Sequence, residues 1–172
     1  MVPDNIHIAH PDKLFIGGAW VESTADRMIE IVSPNSEAVI ARVVDGTEAD
    51  MDRAVAAART AFDDGPWSTM APAERGAIVR RMGEELGKRA PELSAAWTAQ
   101  VGGLASFAPI MTGGATATFM AIAGYADSFP FVEKRPASQV HTAIVAQEPA
   151  GVVAAIAPWN APYGIMSSKV AY

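Results

Sequence analysis

The run Gly151-Val-Val-Ala-Ala-Ile-Ala157 contains no polar side chain and is bounded by Pro149 and Pro158. A strand with one face in water alternates apolar and polar residues. An unbroken apolar run of this length suits a strand covered on both faces, as in a parallel sheet. Such a strand needs neighbours, and parallel neighbours arrive through crossover helices. Here one strand of this kind is followed by the turn Pro158-Trp-Asn-Ala-Pro162 and by a helix expected to begin near Pro162 and to be still running at Tyr172. The sequence therefore predicts an α/β fold whose parallel sheet is begun but not completed within these 172 residues.

The residues before it predict small β units and then helices. Lys13 to Val21 reads as a hairpin, with Gly17-Gly18 supplying the positive φ angles of a two-residue turn. Arg27 to Val32 and Val39 to Val44 are short β-branched runs separated by the turn residues Ser33-Pro34-Asn35-Ser36. Thr47-Glu-Ala-Asp50 is suited to cap a helix, the threonine hydroxyl accepting from a free backbone N–H. Met51, Ala54, Val55, Ala58, Ala61 and Phe62 then recur on one helical face, and Asp64-Gly65-Pro66 ends it. Pro72 starts a second helix with the stripe Ile78, Val79, Met82 and Leu86. Pro91 opens a third, carrying Leu93, Trp97 and Val101 and stopping at Gly102-Gly103. A fourth, more buried helix is expected from about Ser106 to Ser128. Residues 130–138 read as a loop. Val140 to Gln147 reads as a strand with Val140, Thr142, Ile144 and Ala146 on one side.

Composition narrows the function classes. Half of the residues are apolar, which is globular rather than disordered. The formal charge is −6, from 13 basic and 19 acidic residues, and no concentrated positive face is visible, which argues against nucleic acid as a partner. The most apolar stretch, Ala105 to Ala126, is broken by Pro109, Gly113, Gly114 and Gly124, so it reads as a buried helix and not a membrane span. Met1 to His10 lacks the order of a signal peptide. A soluble cytoplasmic protein is the expectation. There is no cysteine, which excludes disulfides and thiolate metal sites, and His7, His10 and His141 are too scattered to form a metal site.

The stretch Glu148-Pro-Ala-Gly-Val-Val-Ala-Ala-Ile-Ala-Pro-Trp-Asn-Ala-Pro162 resembles the segment of the aldehyde dehydrogenase family that enters the active site. Four earlier blocks agree in order and spacing. They are Leu14-Phe-Ile-Gly-Gly-Ala-Trp20, Pro34-Asn-Ser-Glu-Ala-Val-Ile40, Asp52-Arg-Ala-Val-Ala-Ala-Ala-Arg59 with Ala61-Phe62, and Trp67 with Pro72-Ala-Glu-Arg75. The resemblance runs from about Leu14 to the end. It implies the N-terminal part of that fold. Residues 1–134 would belong to the cofactor-binding domain, 135–149 to an oligomerisation arm, and 150–172 to the first strand and helix start of a Rossmann-like sheet.

The family oxidises an aldehyde to a carboxylic acid with NAD or NADP, through a cysteine thiohemiacetal and a thioester. Asn160 matches the family asparagine whose side-chain amide donates to the oxyanion. Ile156, Ala157, Pro158, Trp159 and Asn160 match the strand end lining the nicotinamide side of the cofactor cleft, and Lys169 matches a lysine given a charge-relay role. The resemblance also implies homo-oligomers joined through the arm near Val140 to Gln147, and a substrate-pocket wall from the helix around Phe107 to Tyr125. Gln100 stands where the family often has a carboxylate at a monovalent cation site, which weakens the case for that cation here.

On their own residues the same positions have plainer readings. Asn160 between two prolines is a turn former, Trp159 is a packing residue, and Lys169 is a solvated surface lysine. Without a cysteine the chain is expected to be inactive alone and to represent the N-terminal portion of such an enzyme. The alternative is a non-catalytic scaffold or oligomerisation partner of the same fold. Either way, the unpaired apolar run is expected to expose surface around Val152 to Ile156.

Overall fold

The computed structural model describes residues 6–139 and 141–172. Val140, where the sequence places a strand start, and residues 1–5, within the stretch where no leader is expected, lie outside the described residues. The chain begins with two antiparallel hairpins. In the first, β1 (Lys13–Ile16) pairs with β2 (Ala19–Glu22), and Gly17 and Gly18 turn the corner at φ 61° and 83°. Two consecutive positive φ angles are what a tight hairpin turn requires, so glycine is needed at both positions. In the second, β3 (Met28–Val32) pairs with β4 (Val39–Val44), with a bulge between Ile31 and Val32. Ile40 of β4 is fully buried.

Helix α1 (Glu48–Asp63) starts at the expected cap. The Thr47 hydroxyl accepts from the Asp50 N–H at 3.2 Å, and the Asp50 carboxylate accepts from the Thr47 N–H at 3.1 Å. This reciprocal pair satisfies two otherwise orphaned donors. A short 3-10 turn, Pro66–Ser68, leads to α2 (Pro72–Lys88) and α3 (Ala90–Val101), and α3 ends at Gly102 in the left-handed region, φ 75°. Helix α4 (Ala108–Tyr125) is shorter at both ends than the sequence indicates, because Ser106 and Ser128 sit in flanking turns.

Helix α4 is the axis of the helical layer, with α2, α3 and α5 (Pro162–Val170) packed around it. Its buried residues Ala108, Thr112, Ala115, Phe119 and Ala123 recur every three or four positions, which makes one continuous buried face. The core joins Phe119 and Ala123 to Val79 of α2 and to Ala171 just beyond α5, with Leu86 and Ile122 against it. On α2 the inward line keeps Val79, Ile78 and Leu86 of the expected stripe but adds two glycines and drops Met82. Met82 is exposed, while Gly76 and Gly83 are buried. A Cβ at Gly83 would lie 2.9 Å from Cβ of Phe119, and one at Gly76 would lie 2.6 Å from Cβ of Ala126. Helices this close leave room only for hydrogen at those two positions.

Three further expectations are corrected. Residues 130–138 are not simply a loop, since they contain β5 (Val132–Arg135). It pairs antiparallel with β6 (Ala143–Ala146), which is shorter than the strand read from Val140 to Gln147. The run from Gly151 to Ala157 forms no strand, and Val153 is 71% and Ile156 78% exposed, so it is not covered on both faces. A strand exists through its ladder, and no described segment lies alongside to pair with it. No helix among the described residues is long and apolar enough to cross a membrane.

Candidate functional site

The apolar run delivers the chain into the turn Pro158-Trp-Asn-Ala161, and Pro162 then opens α5, where its missing N–H is harmless. Helix α5 docks on α4 by the face carrying Tyr163 and Ser167. The Ser167 hydroxyl returns to the Tyr163 carbonyl at 2.8 Å. The Tyr163 hydroxyl is buried with no partner among the described residues, and burial raises its pKa, with Arg89 nearby opposing the shift.

Asn160 is exposed on the turn. Among the described residues, no group bonds its side-chain amide. Its backbone carbonyl, in contrast, accepts from the indole Nε1–H of Trp97 at 3.2 Å. Trp97 is 8% exposed on α3, its ring flanked by Phe107 with centroids 6.3 Å apart. The end of α3 is braced from the other side by the β3–β4 turn. The Asn35 side-chain amide donates to the Thr98 carbonyl at 3.3 Å, and Pro34 packs where a Cβ on Gly102 would stand. Hairpin tip, helix end and turn thus meet at one place, and Asn160 is what they present.

The other expected site residues divide. Ala157 is half-buried and Pro158 exposed, and the large side chains of Ile156 and Trp159 stand in the open at 78% and 77%. Trp159 is therefore not a packing residue within this chain. Lys169 lies exposed in the last turn of α5. At about 1.5 Å of rise per residue it is about 10 Å along the axis from Pro162, so it does not meet Asn160. A lysine there faces the negative end of the helix dipole, a favourable position for an exposed cation. Trp97 is the residue that reading by motif passed over. The signal was present, because a tryptophan on a buried stripe needs a partner for its N–H.

The architecture and the turn define a chain of mixed helix and strand in which an asparagine, held by its backbone carbonyl, stands at the exit of an exposed apolar segment. The chain belongs to the aldehyde dehydrogenase family, whose sequence profile it matches over residues 20–172. It is 36% identical over 160 residues to aldehyde dehydrogenase 1 of Tanacetum cinerariifolium, covering 92% of this chain and 32% of that protein. It is 33% identical over 162 residues to the NADP/NAD-dependent aldehyde dehydrogenase PuuC of Escherichia coli K12, covering 91% of this chain and 32% of that protein. Among solved structures, the Mycobacterium tuberculosis aldehyde dehydrogenase complexed with NAD+ superposes with a TM-score of 0.86 at 35% identity, over 93% of this chain and 33% of that one. Betaine aldehyde dehydrogenase of Staphylococcus aureus in complex with NAD+ gives the same score at 32% identity, over 93% of this chain and 32% of that one. The chain spans about a third of the length of these relatives.

Proposed function

We propose that this chain supplies the oxyanion-binding turn and the first cofactor-facing edge of an NAD(P)-linked aldehyde dehydrogenase, which oxidises an aldehyde to a carboxylic acid. The observation that carries the reading is Asn160, whose amide is unbonded among the described residues while its backbone carbonyl is held. A carbonyl oxygen under nucleophilic attack gains negative charge and needs donors aimed at it. An amide NH2 donates without bringing a charge of its own.

The end of the apolar segment fits a nicotinamide cofactor. Ile156 and Trp159 offer exposed apolar surface to a flat ring, and the backbone groups of residues 156–159 have no hydrogen-bond partner among the described residues. Ile156, Ala157, Pro158 and Trp159 would line the nicotinamide, with Asn160 beside it. When bound, NAD(P)+ supplies the hydride acceptor. Lys169 is the second catalytic candidate, a cation available to relay charge once another surface covers it. The sequence contains no cysteine, so these residues hold no thiolate nucleophile and are inactive by themselves.

The same reading makes the β5–β6 ribbon an arm that joins identical subunits, the role expected near Val140 to Gln147. Val132 and Ile144 are exposed on one face of it, because their cross-strand partners are Ala146 and Lys134. The test of the reading is a graft. Residues 1–172 replace the corresponding third of the Escherichia coli relative. The graft is expected to form NAD(P)H in the presence of aldehyde, and the purified 172-residue chain is expected to form none. Turnover by the chain alone, or a folded graft without activity, contradicts it.

A further inference from the structure

We propose that Trp97 is a positioning residue, whose indole N–H fixes the turn that presents Asn160. Among the described residues, its bond to the Asn160 carbonyl is the only hydrogen bond made by any residue from 148 to 160. That segment belongs to no helix or strand. One donor therefore ties the turn to α3, just ahead of the docked helix α5.

The donor is itself packed in place. Trp97 is buried, and an indole has one donor and no acceptor, so its N–H is either spent on this carbonyl or wasted. Gly103 lies so close to the ring that any Cβ there would clash with it, and Phe107 lies beside it. Helix α3 is tied in turn to α4 by the Ser94–Thr112 hydroxyl bond at 2.8 Å and to the β3–β4 turn by Asn35. The tether takes the backbone carbonyl, and the side-chain amide of Asn160 has no partner among the described residues. The inference rests on the proposed role of Asn160 for its catalytic meaning, but the tether is testable without it.

The experiment uses the full chain in dilute solution and two variants. Trp97→Phe keeps an aromatic ring without the donor. Incorporation of 3-benzothienylalanine at position 97 keeps the bicyclic shape and replaces only the N–H by sulfur. Limited chymotrypsin digestion reads cleavage after the exposed Trp159, with cleavage after the exposed Trp67 as the internal reference. Proteolysis of this kind follows the population of the opened segment. Loss of one net hydrogen bond is expected to speed cleavage after Trp159 by about three- to tenfold in both variants, with Trp67 unchanged. Unchanged cleavage after Trp159 in the benzothienyl variant, whose packing is preserved, overturns the proposal.

In the wild-type chain the Trp97 indole proton is also expected to exchange with solvent more slowly than those of Trp20, Trp67 and Trp159. Equal exchange overturns the proposal as well. A faster cut together with an Asn160→Ala graft of undiminished activity leaves the tether standing and removes the oxyanion reading. The reverse pattern removes the tether alone.

Discussion

Asp50 is 2% exposed and still ionised, because its oxygens are fully used. The Ser23 hydroxyl donates at 2.6 Å, the Thr24 and Thr47 backbone N–H groups at about 3.1 Å, and the Arg53 guanidinium at 2.7 Å. The Ser23 bond above all, then Thr47, Arg53 and Thr24, hold the carboxyl well below the usual carboxylate range against a desolvation cost. An unfolded aspartate titrates near pH 3.9. The stabilisation is therefore fully present above about pH 4–5 and is lost as pH falls toward the lower folded value. Asp50→Asn should melt at lower temperature than wild type at neutral pH, with a shallower loss between about pH 5 and pH 3. Parallel melting curves against pH would refute that. Tyr163→Phe removes a buried hydroxyl that has no partner among the described residues, and it should be neutral or stabilising by up to about 1 kcal/mol in urea titration. At this scale the sequence shows what is local. The Thr47–Asp50 box spans three residues and was legible, whereas Ser23 and Trp97 act across 27 and 63 residues and were not. Asn160 was legible only through the family resemblance, because by itself it is a turn residue.

Helix positions followed from proline, capping and glycine signals, and the hairpins from the Gly17-Gly18 and Pro34-Asn35 turns. Packing faces were harder to read. Periodicity assigned α2 a stripe of large residues, of which Ile78, Val79 and Leu86 do face inward, but close approach to α4 also put Gly76 and Gly83 inside and left Met82 exposed. Adding a methyl to such a contact costs about 1–3 kcal/mol, so Gly83→Ala should destabilise by that amount. Gly124 is exposed in α4 with open space where a Cβ would go. Gly124→Ala should stabilise by about 0.5–1 kcal/mol through reduced backbone entropy of the unfolded chain. Chemical denaturation of the pair checks both signs, and equal effects would place the α2–α4 contact wrongly. Strand β5 was hidden because Val-Glu-Lys-Arg has no apolar alternation, and only its pairing with β6 makes it a strand. The converse holds for residues 151–157, whose composition demands a strand that pairing does not supply.

Taken whole, the chain buries one helical core around α4 and leaves much apolar surface open, including Val153, Ile156, Trp159 and Tyr172 along its last segment. Surface of this kind drives association. The isolated chain should self-associate at micromolar concentration, and Val153→Lys with Ile156→Lys should shift it toward monomer in light scattering. A monodisperse wild-type monomer would count against an exposed apolar segment that drives association. The fold class and, apart from β5 and the run 151–157, the order of elements were legible because they rest on local signals repeated along the chain. The exposure of the final segment was legible too, since an apolar run without neighbours has nowhere to go. The chemistry reduces to whether Asn160 meets developing charge. In the graft that places residues 1–172 within the Escherichia coli relative, Asn160→Ala should lower kcat by about 10²–10³ while KM changes little, the loss produced by removing one oxyanion donor. A kcat that survives the substitution unchanged would contradict it.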